Sequence, residues 1–172
     1  MRVVGGSLAG RDLTSPVDGR VRPTAEPVRA ALLDHLASEI LRARVLDLFA
    51  GTGALGIEAL SRGADAADFV EFRPASLHAL RANVAALRLR QRSRIFKRDA
   101  FQYIASLDRE AYQVAFADPP YNTGLVDRVV TEWRATPFAR ILAVEHARGH
   151  QLPRGVHRAA FGDSAITIYR SR

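Results

Sequence analysis

The chain of 172 residues contains no cysteine, which excludes a disulfide framework and any thiolate-held metal. Lysine is nearly absent too: of the 25 basic residues only Lys97 is not an arginine. Beside abundant alanine, that bias is the mark of a GC-rich genome, so the net charge of +7 favours a polyanionic partner only modestly. No apolar run approaches the roughly eighteen residues that a membrane span needs, and residues 1–30 hold no apolar stretch of the signal-peptide kind. Histidine is sparse (His35, His78, His146, His150 and His157), and among these His146 and His150 alone have a ligand-like spacing. Gly149 interrupts that pair, which reads as solvated surface, so no metal site is expected. These absences describe a soluble cytoplasmic protein, and its length suits one domain with a substantial core.

What the chain does have is most concentrated in Asp118-Pro119-Pro120-Tyr121, directly after the apolar run Val114-Ala115-Phe116-Ala117. A buried strand thus ends and meets two prolines, which can continue neither a central strand nor a helix. The peptide holds acceptors, the Asp118 carboxylate and the Pro119 carbonyl, beside an aromatic ring. Such a group suits a planar amino-heterocycle: acceptors for the –NH₂ and a flat face for the ring. A strand-terminating turn with a surface tyrosine is the plain alternative on these four residues alone.

Upstream, Val45-Leu46-Asp47-Leu48-Phe49 reads as a buried parallel strand, apolar but for one acid. It runs into Ala50-Gly51-Thr52-Gly53-Ala54-Leu55-Gly56 and then a helical stretch. Gly51, Gly53 and Gly56 have the spacing of a nucleotide-binding loop, and Glu71 ends the next strand about twenty residues on. A dinucleotide would set its pyrophosphate on the helix N-terminus. Asp47 would oppose that phosphate and favour a ligand bearing an ammonium. S-adenosylmethionine (AdoMet) has the ammonium, no phosphate, and ribose hydroxyls that Glu71 could accept. Asp47 as a purely structural acid remains the alternative.

The motifs LDLFAGTGALGIEALSRGA, FVEF, RDAF and DPPY, in this order, resemble those of the Rossmann-like, AdoMet-dependent methyltransferases. Asp-Pro-Pro-Tyr is the form found where the target is an exocyclic amino nitrogen of a base. The N-terminal RVVGGSLAGRDL and RPTAEPVRAALL are similar to the bacterial small-subunit (16S) rRNA guanine-N2 methyltransferases of the RsmD type, and the likeness runs from residue 2 to about 145. The resemblance implies that Asp47, Phe49, Gly51 and Gly53 surround the methionine part and Glu71 holds the ribose. It implies Phe72 near the adenine, Asp99 and Ala100 on the adenine edge, Thr24 at the methionine carboxylate, and Asp118, Pro119, Pro120 and Tyr121 as the base site. It further implies a monomer with AdoMet as cofactor, S-adenosylhomocysteine as product, and 16S rRNA within an assembled or partly assembled small subunit as substrate. Two departures are Ala30, where the family often has an acid, and Phe72-Arg73, where a Lys or Asp commonly follows the ribose acid.

Residues 1–25 carry Arg2, Arg11, Arg20 and Arg22 among glycines, with little apolar periodicity. Such a segment is expected to bury little surface and, on the family likeness, to form an RNA-contacting hairpin, with Arg29 added from the first helix. The remainder, 26–172, is then the AdoMet-dependent domain. Arg88, Arg90, Arg92 and Arg94 would share one side of an extended segment, as RNA contacts or as a solvated loop. Val28, Leu32, Leu36 and Ile40 predict a helix from Pro27 to about Ile40. Strands are expected at 44–49, 67–71, 94–98, 112–117 and 140–145, with helices at 53–62, 74–87, 100–107 and 123–134. An antiparallel hairpin at 156–170 closes the chain. The fold class is therefore α/β: a Rossmann-like, mostly parallel seven-stranded sheet with helices on both faces, a C-terminal antiparallel hairpin and a small N-terminal hairpin extension. Three other functions remain open: N6-adenine methylation of DNA or RNA, a non-catalytic RNA-binding module, and, more remotely, a dehydrogenase.

Overall fold

The computed structural model describes residues 1–16 and 24–172. Its sheet contains β1 (Arg44–Leu48), β2 (Ala66–Glu71), β3 (Ser93–Lys97), β4 (Tyr112–Ala117), β5 (Ala139–Ala147), β6 (His157–Phe161) and β7 (Ser164–Arg170). They lie in the order β3-β2-β1-β4-β5-β7-β6. The first five are parallel, β7 is antiparallel to β5, and β6 is antiparallel to β7. Among the described residues, six α-helices accompany them: α1 (Glu26–His35), α2 (Ala37–Ile40), α3 (Ala54–Ser61), α4 (Pro74–Ala86), α5 (Ala100–Ile104) and α6 (Leu125–Ala135). Among the described residues no helix is long and apolar enough to cross a membrane.

Alternation along the central strands sends side chains into two apolar layers, which is why these strands read as nearly continuous apolar runs. Val45, Phe69, Val114 and Phe116 pack with Leu32, Leu33, Ile57 and Leu80 on one face. Leu46, Leu48, Ala115 and Leu142 pack with Phe101, Val129, Val130 and Trp133 on the other. The first predicted helix breaks at Leu36, whose φ of −101° and ψ of 17° separate α1 from α2. Leu32, Leu36 and Ile40 are buried all the same, so the apolar spacing survives the break.

The N-terminal segment departs from expectation in one respect. Its backbone does fold back on itself, with Arg2 opposite Asp12 and Val3 N–H donating to Arg11 O at 2.9 Å. Yet it is not a thinly buried appendage, because Val3 and Leu13 are part of the first apolar layer. Glu58 on α3 accepts the N–H groups of Val4 and Gly5 at 2.9 and 2.6 Å, and Ser61 donates to Gly5 O. A Cβ at Gly6 would lie 2.1 Å from Ser61 O, and its φ of +76° also favours glycine. The hairpin is thus seated against α3 by backbone-to-side-chain bonds.

Two arginine expectations are corrected. Arg29, read as an RNA contact, is fully buried. Its Nη1 donates to Thr24 O at 2.7 Å, its Nη2 to Arg2 O at 2.6 Å, and its Nε lies 3.9 Å from Glu58. A guanidinium so enclosed ties the hairpin to α1 and α3 and has no face left for a nucleic acid. In the second case, Arg90–Arg92 form a 3₁₀ turn rather than an extended run. Arg92 donates to Leu60 O and Ala64 O, and Arg94 pairs with buried Asp68 at 2.9 Å, so these side chains grip the domain itself.

Candidate active site

Parallel register aligns Leu48 with Val70 and with Ala117, and Ala117 with Val144. The next residue of each strand therefore emerges at one level along the sheet's carboxyl edge: Phe49, Glu71, Asp118 and Glu145. Strand order reverses direction between β1 and β4, the topological position where open α/β sheets bind ligands. A cavity of about 250 Å³ lies there. Its wall comprises Thr24, Asp47, the loop from Phe49 to Thr52, Ala54 and Leu55 of α3, Arg73, Asp118 to Tyr121, and Glu145.

The glycine loop is held from below by carboxylates. Gly51 N–H donates to Glu71 Oε2, and Gly56 N–H to Asp47 Oδ2, both at 2.9 Å. Glu71 Oε1 accepts from the N–H groups of Phe72 and Arg73, again at 2.9 Å. Gly56 has no alternative, since a Cβ there would stand 2.4 Å from Phe69 Cε1 and 3.2 Å from Asp47 Oδ2. Phe49 adopts φ +58°, a left-handed conformation that costs a non-glycine residue energy and persists where surroundings enforce it. Asn83 of α4 adds a further tie, donating to both Thr52 O and Thr14 O at 3.0 Å.

Acidity dominates the cavity. Asp47 is 2% exposed, and burial pushes its carboxyl well above the usual carboxylate range. The Gly56 N–H opposes that rise, while the charges of Asp118 and Glu71 reinforce it. Asp118 Oδ2 accepts from the Thr24 hydroxyl at 2.7 Å, and Thr24 is in turn pinned through its carbonyl by Arg29. Tyr121 donates its phenol to Glu145 Oε1 at 3.0 Å. Burial first, then the charge of Glu145, raises the phenol above its ordinary value, which keeps it a donor. Among the described residues Arg73 is the cation on this wall, with its Nε 3.6 Å from Glu71. Such a lining is hostile to pyrophosphate and suited to a ligand that carries positive charge.

Of the residues singled out from the sequence, Thr24, Asp47, Phe49, Gly51 and Asp118 to Tyr121 meet on this one wall. Gly53 stands behind it as the N-cap of α3, and Glu71 lies beneath the loop, 4% exposed. Phe72, Asp99 and Ala100 follow the outer strands β2 and β3 and do not line the cavity. Phe72 is 57% exposed; Asp99 caps α5 by accepting from Phe101 and Gln102 N–H; Ala100 is buried. Arg2 and Arg11 are exposed on the hairpin, Arg2 beside Glu26 at 3.4 Å, while Arg20 and Arg22 lie outside the described residues. Sequence reading passed over Glu145 and Asn83. An acid closing the apolar run Ile141–Val144 was the available signal for Glu145; a lone helical asparagine gave none.

A mostly parallel sheet in this order, ended by an antiparallel pair and carrying a glycine loop after its central strand, is the class I methyltransferase fold. Residues 1–169 match the family model described as conserved hypothetical protein 95, and the chain belongs to that family. It is 31% identical, over the full length of both chains, to YlbH of Bacillus subtilis strain 168, provisionally named an rRNA methyltransferase. It is 37% identical over 130 residues to ribosomal RNA small subunit methyltransferase D of Escherichia coli K12, an alignment spanning 76% of this chain and 65% of that protein. Among solved structures, Escherichia coli yhhF, provisionally named a methyltransferase, superposes with a TM-score of 0.84 at 30% identity, over 99% of this chain and 97% of that one.

Proposed function

We propose that this protein methylates the exocyclic N2 of a guanine in small-subunit ribosomal RNA, in the cytoplasm, with AdoMet as the methyl donor. Family membership supports the class of substrate. The single observation that carries the chemistry is the convergence of the Asp118-Pro119-Pro120-Tyr121 turn and the Asp47–Gly51 loop on one cavity. The cofactor fits the residues present: a buried acid at Asp47, carboxylates in place of phosphate ligands, and a loop whose backbone bends around Gly51. Asp47 and the loop from Phe49 to Gly53 would hold its cationic portion, with Glu71 toward the ribose. When bound, AdoMet supplies an electrophilic methyl group on a sulfonium.

The chain's own residues then act on the nucleophile. A guanine amino group is a weak nucleophile because its nitrogen lone pair is shared with the ring. Asp118 and the Pro119 carbonyl accept its two N–H bonds, draw the nitrogen toward tetrahedral geometry and stabilise the positive charge that grows on it. Thr24, donating to Asp118 Oδ2, fixes the orientation of that carboxylate in the site. Tyr121 flanks the base, and base–aromatic stacking contributes roughly 1–3 kcal/mol. Holding the reacting groups in line can lower a bimolecular barrier by about 7–11 kcal/mol. The methylated nitrogen afterwards loses its proton to Asp118 or water. Because a paired amino group is inaccessible, the target base must be unstacked or in a loop. In this reading Arg2 and Arg11, exposed on the docked hairpin, provide phosphate contacts.

The test is methyl transfer from labelled AdoMet to unmodified rRNA, assembled small subunits and duplex DNA, with nucleoside mass spectrometry. N2-methylguanosine from rRNA or subunits is expected. N6-methyladenosine, or transfer to duplex DNA, would overturn the proposal.

A further inference from the structure

We infer that Glu145 is a specificity-determining residue that distinguishes guanine from adenine by accepting the N1–H of the target base; this rests on the guanine reading above. Glu145 emerges beside Asp118 at the carboxyl edge of the sheet, because Val144 pairs with Ala117. It lines the same cavity as the Asp118–Tyr121 turn and is 8% exposed. One oxygen, Oε1, accepts from the Tyr121 hydroxyl at 3.0 Å. The other, Oε2, is buried and has no hydrogen-bond partner among the described residues. A buried carboxylate oxygen without a donor is unfavourable, so the site holds an acceptor that a ligand satisfies.

The chemistry of the two purines decides which ligand. Guanine presents a donor at N1 directly beside its N2 amino group. Adenine presents an N1 lone pair beside its N6 amino group. With either amino group on Asp118 and Pro119 and the N1 edge of the base turned toward β5, ring nitrogen N1 falls at the next strand end, where Glu145 stands. A carboxylate attracts the guanine N1–H and opposes the adenine lone pair. The terminal torsion of a glutamate is soft, so a modest rotation of the carboxylate plane brings Oε2 toward the donor, and the Tyr121 hydroxyl, which turns about its own C–O bond, follows Oε1. One residue thereby both orients the flanking phenol and reads the base edge.

The experiment uses Glu145→Gln, whose amide carbonyl still accepts from Tyr121 while its –NH₂ can face a ring-nitrogen lone pair. Methylation of unmodified small subunits is measured with free guanosine or 2,6-diaminopurine riboside as competitor. The latter keeps the N2 amino group but has an acceptor at N1. Wild-type protein is expected to prefer guanosine by roughly 10- to 100-fold, the range of one charge-assisted hydrogen bond. In Glu145→Gln that preference collapses toward unity, AdoMet affinity is unchanged, and KM for subunits rises more than kcat falls. Unaltered discrimination in a variant that binds AdoMet normally would overturn the inference alone. A wild-type product other than N2-methylguanosine would overturn the guanine reading, and the inference with it.

Discussion

Replacing Arg29 by alanine separates two roles for one residue, and the structure sets the magnitude. The guanidinium is fully buried, donates to the carbonyls of Thr24 and Arg2, and lies 3.9 Å from Glu58. Truncation leaves both carbonyls without their charged donor. Glu58 retains the Val4 and Gly5 N–H groups and Arg62 Nε at 3.2 Å, so its charge is not wholly abandoned. Removing one partner of a buried ion pair costs about 3–5 kcal/mol, a large part of the roughly 5–15 kcal/mol that stabilises a domain. With a urea dependence of about 2 kcal/mol per molar, the unfolding midpoint should fall by roughly 2 M. Trp133, the sole tryptophan and buried against the second face of the sheet, provides the fluorescence signal. Arg29→Lys should fall between, since an ammonium lacks the fork that spans two carbonyls. An arginine that served RNA from the surface would instead shift stability by less than about 0.5 kcal/mol. An unmoved midpoint together with weakened rRNA binding would refute this account of Arg29.

Four further residues of the site each have an expected outcome. For Asp47, burial raises the folded-state value above that of the unfolded chain, so the native state holds the extra proton between the two. The ligand-free protein therefore loses stability as pH climbs through that window and stays lower above it. Asp47→Asn should flatten this profile and raise the ligand-free melting temperature at pH 7, yet weaken AdoMet; tighter AdoMet binding by the variant would contradict the charge argument. Glu71→Ala removes the acceptor of three N–H groups that shape the loop, and a rise of at least tenfold in the AdoMet dissociation constant is expected by calorimetry; an unaltered constant would sink the assignment. Asp118→Ala should abolish transfer while sparing AdoMet affinity, and Thr24→Val should lower kcat by about tenfold, one hydrogen bond's worth; normal turnover in Asp118→Ala would remove that residue from the mechanism.

Much of this architecture is legible in the sequence. Strand ends at Glu71 and Ala117, the helix opened by Pro74 and the terminal hairpin turning at Gly162 all coincide with local signals. These are features of periodicity and of proline and glycine geometry, which act over a few residues. The glycine loop and the Asp118 tetrapeptide were legible for the same reason, since each is contiguous and chemically unusual. Asp99 was visible as an acid after a strand, but its role as a helix cap became clear only from its two backbone donors.

By itself, then, the sequence determined the alternation of strands and helices, the glycine loop and the acceptor turn, because each depends on neighbours along the chain. Tertiary structure alone decided the rest. That Arg29 faces inward and not toward RNA depends on Glu58 of α3 and the Arg2 carbonyl of the hairpin, and only tertiary packing brings those groups to it. That Thr24 meets Asp118 across 94 positions depends on where α1, which begins at Glu26, lies against the end of β4, with Arg29 of that helix holding the Thr24 carbonyl. That Glu145 stands beside Asp118 depends on the pairing of Ala117 with Val144, a register between strands. Burial, ion pairing and strand register are relations between distant segments. No window of sequence contains them, and they exist only once the chain has closed on its core.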